Sequence, residues 1–215
     1  MAMHIGIHRR LEPTVVDQFA EIHREAFAPL AVISAVRQSL TDDEFRDEVA
    51  SPDVLKFLGF GPFDEAVALA LLTNELSLVP WIDERFYAAK FPDAHARKAI
   101  FYFFTLLVAP EAQGGPWVTA MIEALAMHTA LANGVVAFDC CEFNVREMLV
   151  PDLIRDIASK YVEVDCREVD VQHYYTYQFL AVREIDLRDI KEHGITIDLA
   201  VPASSVIPRE ESTPR

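Results

Sequence analysis

The chain has 215 residues, 52% of them hydrophobic, and a formal net charge of −15. That length and apolar content support a full buried core in one domain and exclude a small disulfide scaffold. The charge argues against nucleic acid and anionic membrane surfaces as partners, because both require the protein to supply cations. Cys140 and Cys141 are adjacent and Cys166 stands alone, which makes no even framework and points to a reducing compartment. No apolar run precedes the arginines of MAMHIGIHRR, and no window reaches the about 18–20 apolar residues of a membrane span. The expectation is a soluble cytoplasmic protein.

In chain order, His4–Leu11 alternates Ile5 and Ile7 with polar neighbours and predicts a short edge strand. Val15, Phe19, Ile22 and Phe27 recur at helical spacing, so a first amphipathic helix ends before Pro29. A second helical region runs from Ala31 to about Val49 and breaks near Thr41, where Thr41-Asp-Asp-Glu44 fits a capping box. Val54–Phe60 and Ala66–Leu76 are apolar runs joined by a Gly61-Pro62 turn, and they predict a hairpin. Ser77–Pro92 carries Trp81, Phe86, Tyr87 and Phe91 among charges; it predicts a short helix over the sheet, either an aromatic face packed on the core or a lid over a pocket.

The organising unit is Ala99–Asn144. Ile100–Val108 is too uniformly apolar to have a wet face and predicts a central strand. Pro116 is preset in φ for a first helical turn, the helix runs from Trp117 to Ala132, and Asn133-Gly134 stops it. Val135–Cys141 returns as a strand, and a right-handed crossover makes it parallel to the first. A further helix is expected over Met148–Lys160, then a strand through His173, Tyr175, Tyr177 and Phe179. Composition gives a domain over residues 1–183 and a Pro/Ser-rich extension over 184–215, an arm or disordered. Edge strands rich in Tyr suit subunit pairing, so a homodimer is among the expected partners.

Val108-Ala-Pro-Glu-Ala-Gln113-Gly-Gly-Pro-Trp-Val118, followed by a long helix and a strand ending at Asn144, resembles the acyl-CoA-binding core of the GCN5-related N-acetyltransferase superfamily. The likeness covers roughly residues 4–180. It implies a three-layer α/β/α fold on a mixed sheet of about six or seven strands, with two central parallel strands splayed apart. It also implies acetyl-CoA or another acyl-CoA as co-substrate and a small-molecule or peptide amine as acceptor. The pantetheine arm would bond the main chain at Leu107 and Val108. The pyrophosphate would rest on the amides of Gln113, Gly114, Gly115, Pro116, Trp117 and Val118 at the helix N-terminus, and Asn144 would complete the donor site.

Three features of this chain depart from that pattern. Pro116 and Val118 stand where the superfamily has small residues, and proline offers no N–H to a phosphate. Between Lys98 and Arg146 there is no Lys or Arg, while Glu111, Glu123, Asp139 and Glu142 are present. The tyrosine that many members use to protonate the departing thiolate would fall at or next to Pro151, and none occurs before Tyr161.

Residues able to take a proton from an amine are Tyr102 on the central strand, Asp139 and Glu142 around the end of the next, and His173 on the last. The ordinary alternatives are loop solvation or capping for the two carboxylates and a satisfied, partly buried imidazole for His173. Cys140 and Cys141 point to opposite faces and read as small core thiols. His4 and His8 share a face without a Cys/His cluster, so no metal is expected. The competing functions are an N-acyltransferase, a non-catalytic relative that binds a small molecule or a protein, and an assembly role through the last strand.

Overall fold

The computed structural model describes residues 4–178. Its elements are β1 (His4–His8), α1 (Pro13–Phe27), α2 (Asp42–Ala50), β2 (Val54–Phe60), β3 (Ala66–Thr73), α3 (Glu84–Lys90), α4 (Pro92–Ala96), β4 (Ile100–Val108), α5 (Trp117–Leu131), β5 (Val135–Ala137), α6 (Glu142–Arg146) and α7 (Val150–Ala158). Residues up to Val171 form one compact unit, and a second begins at Gln172.

The first unit has the α/β architecture expected, but its mixed sheet has five strands among the described residues, not six or seven, in the order β1-β2-β3-β4-β5. Strands β1 to β4 run antiparallel to their neighbours, and β4 and β5 are parallel. Apolar side chains leave both faces of the central strands, so each face takes a layer of helices. On one face Phe57, Ala68, Leu72 and Phe101 pack under Trp117, Met121 and Leu125 of α5. On the other, Leu58, Leu69, Leu71 and Leu107 meet Phe19 of α1 with Phe45 and Val49 of α2. Ile100 and Tyr102 meet Leu76, Val79, Tyr87 and Ala94 there. Each fully buried Leu, Met or Phe contributes about 1.5–3 kcal/mol, which makes these two layers the main source of stability.

Several elements are shorter than their hydrophobic patterns. The first strand ends at His8, and β3 ends at Thr73, where a one-turn 3-10 segment, Leu76–Leu78, follows. Of the region from Ala31 to Val49, only Asp42–Ala50 is α-helical; Ala28–Val32 is a 3-10 turn. The cap decides this: Thr41 accepts from the Glu44 N–H while the Glu44 carboxylate takes the Thr41 N–H, so the helix starts afresh. The helix expected over Met148–Lys160 forms as Val150–Ala158, its start set by Leu149, the N-cap, which adopts the left-handed conformation (φ 51°) ahead of Pro151.

Two strands need correction. Val135–Cys141 pairs only as Val135–Ala137, and Asn144 sits inside α6 rather than at a strand end. Asp139 is drawn aside to Trp81 and Tyr102, so the segment after Ala137 leaves the ladder. Residues 172–178 contain no strand, although they alternate in sequence; with little apolar surface buried, nothing pins a register. Phe179 and the extension 184–215 lie outside the described residues. No described helix is long and apolar enough to cross a membrane.

Candidate active site at the parting of two strands

The parallel ladder between β4 and β5 consists of three registered pairs, Ile100 with Val135, Phe101 with Val136 and Tyr102 with Ala137. Across the next position the rings of Phe103 and Phe138 still meet, with centroids 6.3 Å apart. Beyond them β4 continues to Val108 with no strand on that side among the described residues. The register of β4 against β3 also shifts here, Leu72 facing Phe103 but Leu71 facing Thr105, so Phe104 is the extra residue of a β-bulge. A bulge increases local twist and bends its strand, which turns β4 away from β5.

The peptides that face the opening follow from the ladder. Ala109 N–H donates to Val67 C=O at 2.8 Å, so by strict alternation Leu107 also directs its main chain to β3. Leu106 and Val108 then turn theirs toward the open side. The Val108 carbonyl is taken by Gln113 Nε2 at 3.3 Å. Sequence reasoning named Leu107 and Val108; the bulge fixes the phase, which a sequence does not display, and the outward pair is Leu106 and Val108.

A polar cluster stands where the strands part. Trp81 Nε1 donates to the Tyr102 hydroxyl at 2.8 Å and to Asp139 Oδ1 at 3.1 Å, and the Tyr102 hydroxyl donates to the same carboxylate oxygen. The Trp81 ring lies edge-on to Tyr102 and Phe104 at 6.1 and 6.2 Å. Tyr102 is 1% exposed, whereas Asp139 is at the surface and its Oδ2 takes no bond from the described residues. Burial and the bond to Asp139 hold the Tyr102 phenol well above the usual tyrosine range. Its proton is committed to the carboxylate, so Tyr102 orients Asp139 and is not itself poised to exchange. Burial, with Asp139 adding to it, pushes the Cys140 thiol up to about 11, which makes it unreactive at neutral pH.

Segment 77–92 is mostly a packed face: Tyr87 is buried against Ile100 and Tyr102. Trp81 hydrogen-bonds into the site, which Tyr87 adjoins through its packing on Tyr102. A single Trp beside Pro80 was its only signal in the sequence.

The remaining candidates are placed apart. Glu142 opens α6, exposed and ion-paired to Arg146. Asn144 is half-buried on the same helix. His173 lies in the second unit, exposed, its ring 6.4 Å from that of Tyr175. Tyr161 donates to Glu123 Oε1 of α5 at 3.1 Å and so is held away from the place of the missing acid. Groups of three or more metal-ligating side chains do not occur among the described residues.

The turn into α5 begins with a one-turn 3-10 segment, Pro110–Ala112. Gln113 N–H and Gly115 N–H both fold back on its carbonyls, of Pro110 and Ala112, at 3.3 Å. Gly114 takes φ 76°, which a glycine adopts without strain. Pro116 is the N-cap and brings no N–H. Trp117 is buried beneath the turn, against Gly59 and Ala68, so it belongs to the α5 layer of the core. The outward peptides of β4 thus suit an extended amide-bearing arm, whereas this turn does not suit a diphosphate. Two hollows of about 350 and 370 Å³ lie elsewhere, beside α5 at Ile5 and Met127 and between α1 and α2 at Leu11 and Val49, and contain none of these residues.

No protein-family model matches the chain, and no curated protein matches it in sequence. Solved structures similar to it in fold include three acetyltransferases. One is an aminoglycoside antibiotic 6'-N-acetyltransferase from Acinetobacter baumannii, 11% identical, covering 83% of this chain and 99% of the other at a TM-score of 0.47. A second is a predicted acetyltransferase with acetyl-CoA from Clostridium acetobutylicum, 14% identical over 80% of this chain and 96% of the other, TM-score 0.45. A third is a ribosomal-protein-alanine N-acetyltransferase from Brucella melitensis, 10% identical over 81% of this chain and 100% of the other, TM-score 0.44.

Proposed function

We propose that the protein is an N-acyltransferase that moves an acetyl or longer acyl group from a thioester, an acyl-CoA in the first instance, to the amine of a small molecule or peptide. The observation that carries the reading is the three-residue ladder of β4 and β5, which leaves the Leu106 and Val108 peptides facing an opening beside Asp139. A pantetheine arm is a chain of amides, and an unpaired strand edge satisfies amides. The arm would lie along β4 with its thioester near Tyr102 and Asp139.

In this reading a neutral amine attacks the thioester carbonyl carbon. The C–N bond forms, the C–S bond breaks, and the nitrogen's surplus proton passes to the Asp139 carboxylate. The sulfur leaves as a thiolate, which takes its proton from solvent. Trp81 and Tyr102 act as positioning residues, since their hydrogen bonds fix one carboxylate oxygen. Holding the amine against an activated thioester supplies most of the gain, because proximity removes the entropic cost of encounter.

The second reading, a non-catalytic binding protein, is favoured by one observation: the sequence has no tyrosine between Asn144 and Tyr161 to protonate the thiolate, and Tyr161 is bonded to Glu123. Thermal unfolding with acetyl-CoA tests binding, and a ligand at 100 times its dissociation constant stabilises by about 2.7 kcal/mol. Release of free thiol from acetyl-CoA with a panel of primary amines then separates the readings. Binding with no amine-dependent thiol leaves the non-catalytic reading; no shift at millimolar acetyl-CoA overturns the acyltransferase.

A further inference from the structure

The two ends of the donor site are unequal. On the thioester side, the bulge and the short ladder give an extended arm the Leu106 main chain and the Val108 N–H as partners, the Val108 carbonyl being taken by Gln113. On the nucleotide side, three of the main-chain positions that would hold a phosphate are withdrawn. The Gln113 and Gly115 N–H groups are spent on the carbonyls of Pro110 and Ala112. Pro116 has none, and the exposed Val118 side chain stands on the first helical turn where a phosphate would need bare backbone.

Charge acts in the same direction. Ala109 bonds to Val67, and Trp117 packs on Gly59, which sets the turn at the sheet end that carries the β2–β3 hairpin. Residues 61–65 and 109–123 together hold Asp64, Glu65, Glu111 and Glu123 and no Lys or Arg. Arg146, the first cation after Lys98, is ion-paired to Glu142. With the chain at −15, a nucleotide with several phosphates is repelled at long range as well. The α5 dipole and the first N–H groups of that helix oppose this, and salt screens the dipole.

Resting on the acyltransferase reading above, we propose that the donor site recognises the pantetheine arm and its thioester and does not read the nucleotide, so that a pantetheine thioester serves as donor as well as the CoA thioester. The same chemistry would admit an acyl-phosphopantetheine group in any setting that leaves the arm exposed.

The test is calorimetric titration of the full chain with three probes: acetyl-CoA, S-acetylpantetheine, and 3'-phosphoadenosine 5'-diphosphate. The expected result is dissociation constants for the two thioesters within about threefold of one another, and no heat from the nucleotide. The acetyl-CoA constant should also be level between low and high salt, because no phosphate contact is being screened. Acetyl-CoA binding about thirtyfold or more tighter than S-acetylpantetheine, or competition by the nucleotide, overturns the inference and leaves the acyltransferase reading standing. Binding of neither thioester overturns both.

Discussion

Trp117 rests on Gly59: a Cβ placed on Gly59 would come within 2.7 Å of the indole ring. This contact keeps the largest side chain of the α5 turn in the core.

Gly59→Ala should therefore destabilise the protein. The added methyl meets two indole carbons, at 2.7 and 2.9 Å, and the Ala68 methyl at 3.2 Å. Such overpacking costs typically about 1–3 kcal/mol. Trp117→Leu in the same chain makes room for the methyl, so the double variant should be more stable than the sum of the single losses. Urea unfolding of the four species measures the coupling; strict additivity would show that the two residues do not constrain one another.

Asp139 and Tyr102 can be separated by kinetics. Asp139→Asn removes the proton acceptor and should lower the amine-dependent rate by about 10²–10⁴-fold with little change in thioester affinity. Tyr102→Phe keeps the carboxylate and the ring but loses the orienting hydroxyl. Its loss should be smaller, because the acceptor remains and only one of the two bonds that fix its Oδ1 is gone. Trp81→Phe, which removes the other bond to that oxygen, should show a loss of similar size. Equal losses for the Asp139→Asn and Tyr102→Phe variants at every pH would assign the proton transfer to another group.

Pro116→Gly restores a main-chain N–H at the N-terminus of α5. One charge-assisted hydrogen bond should tighten acetyl-CoA by about tenfold, and S-acetylpantetheine, which has no phosphate, should be unaffected. The variant loses about 0.4–1 kcal/mol of stability through the freer unfolded chain. If neither affinity changes, the diphosphate does not approach this turn.

Glu48 gives a pH signature of stability. On α2 its carboxyl is largely buried, Oε2 has no hydrogen-bond partner among the described residues, and burial, with Glu44 adding to it, raises the pKa from 4.5 to about 7. The folded chain thus holds this proton where the unfolded chain has lost it. The group's effect is absent below about pH 4.5, and stability falls as pH rises from 4.5 to 7, where the full penalty is reached. Glu48→Gln should raise the melting temperature at pH 8 and leave it unchanged at pH 4. The gain at pH 8 is on the order of 1–3 kcal/mol. A gain of the same size at both values would mean that the carboxyl titrates normally.

The layers, the central strands and the caps were legible in the amino-acid order, because they depend on local periodicity and short-range chemistry. Ile100–Val108, the helix from Trp117 and the box at Thr41 and Glu44 lie where their patterns place them. The acidic, proline-bearing turn was equally visible, since a missing N–H and missing cations are properties of composition. Folding in three dimensions was needed to settle the length of β5, the bulge at Phe104 and the meeting of Trp81, Tyr102 and Asp139. Each depends on contacts between residues far apart in the chain, 58 positions for Trp81 and Asp139, and no local pattern records which partner prevails. The strand that the Tyr-rich alternation of residues 172–178 suggested did not form, for the converse reason: alternation supplies a face, but only a neighbouring strand makes it a ladder.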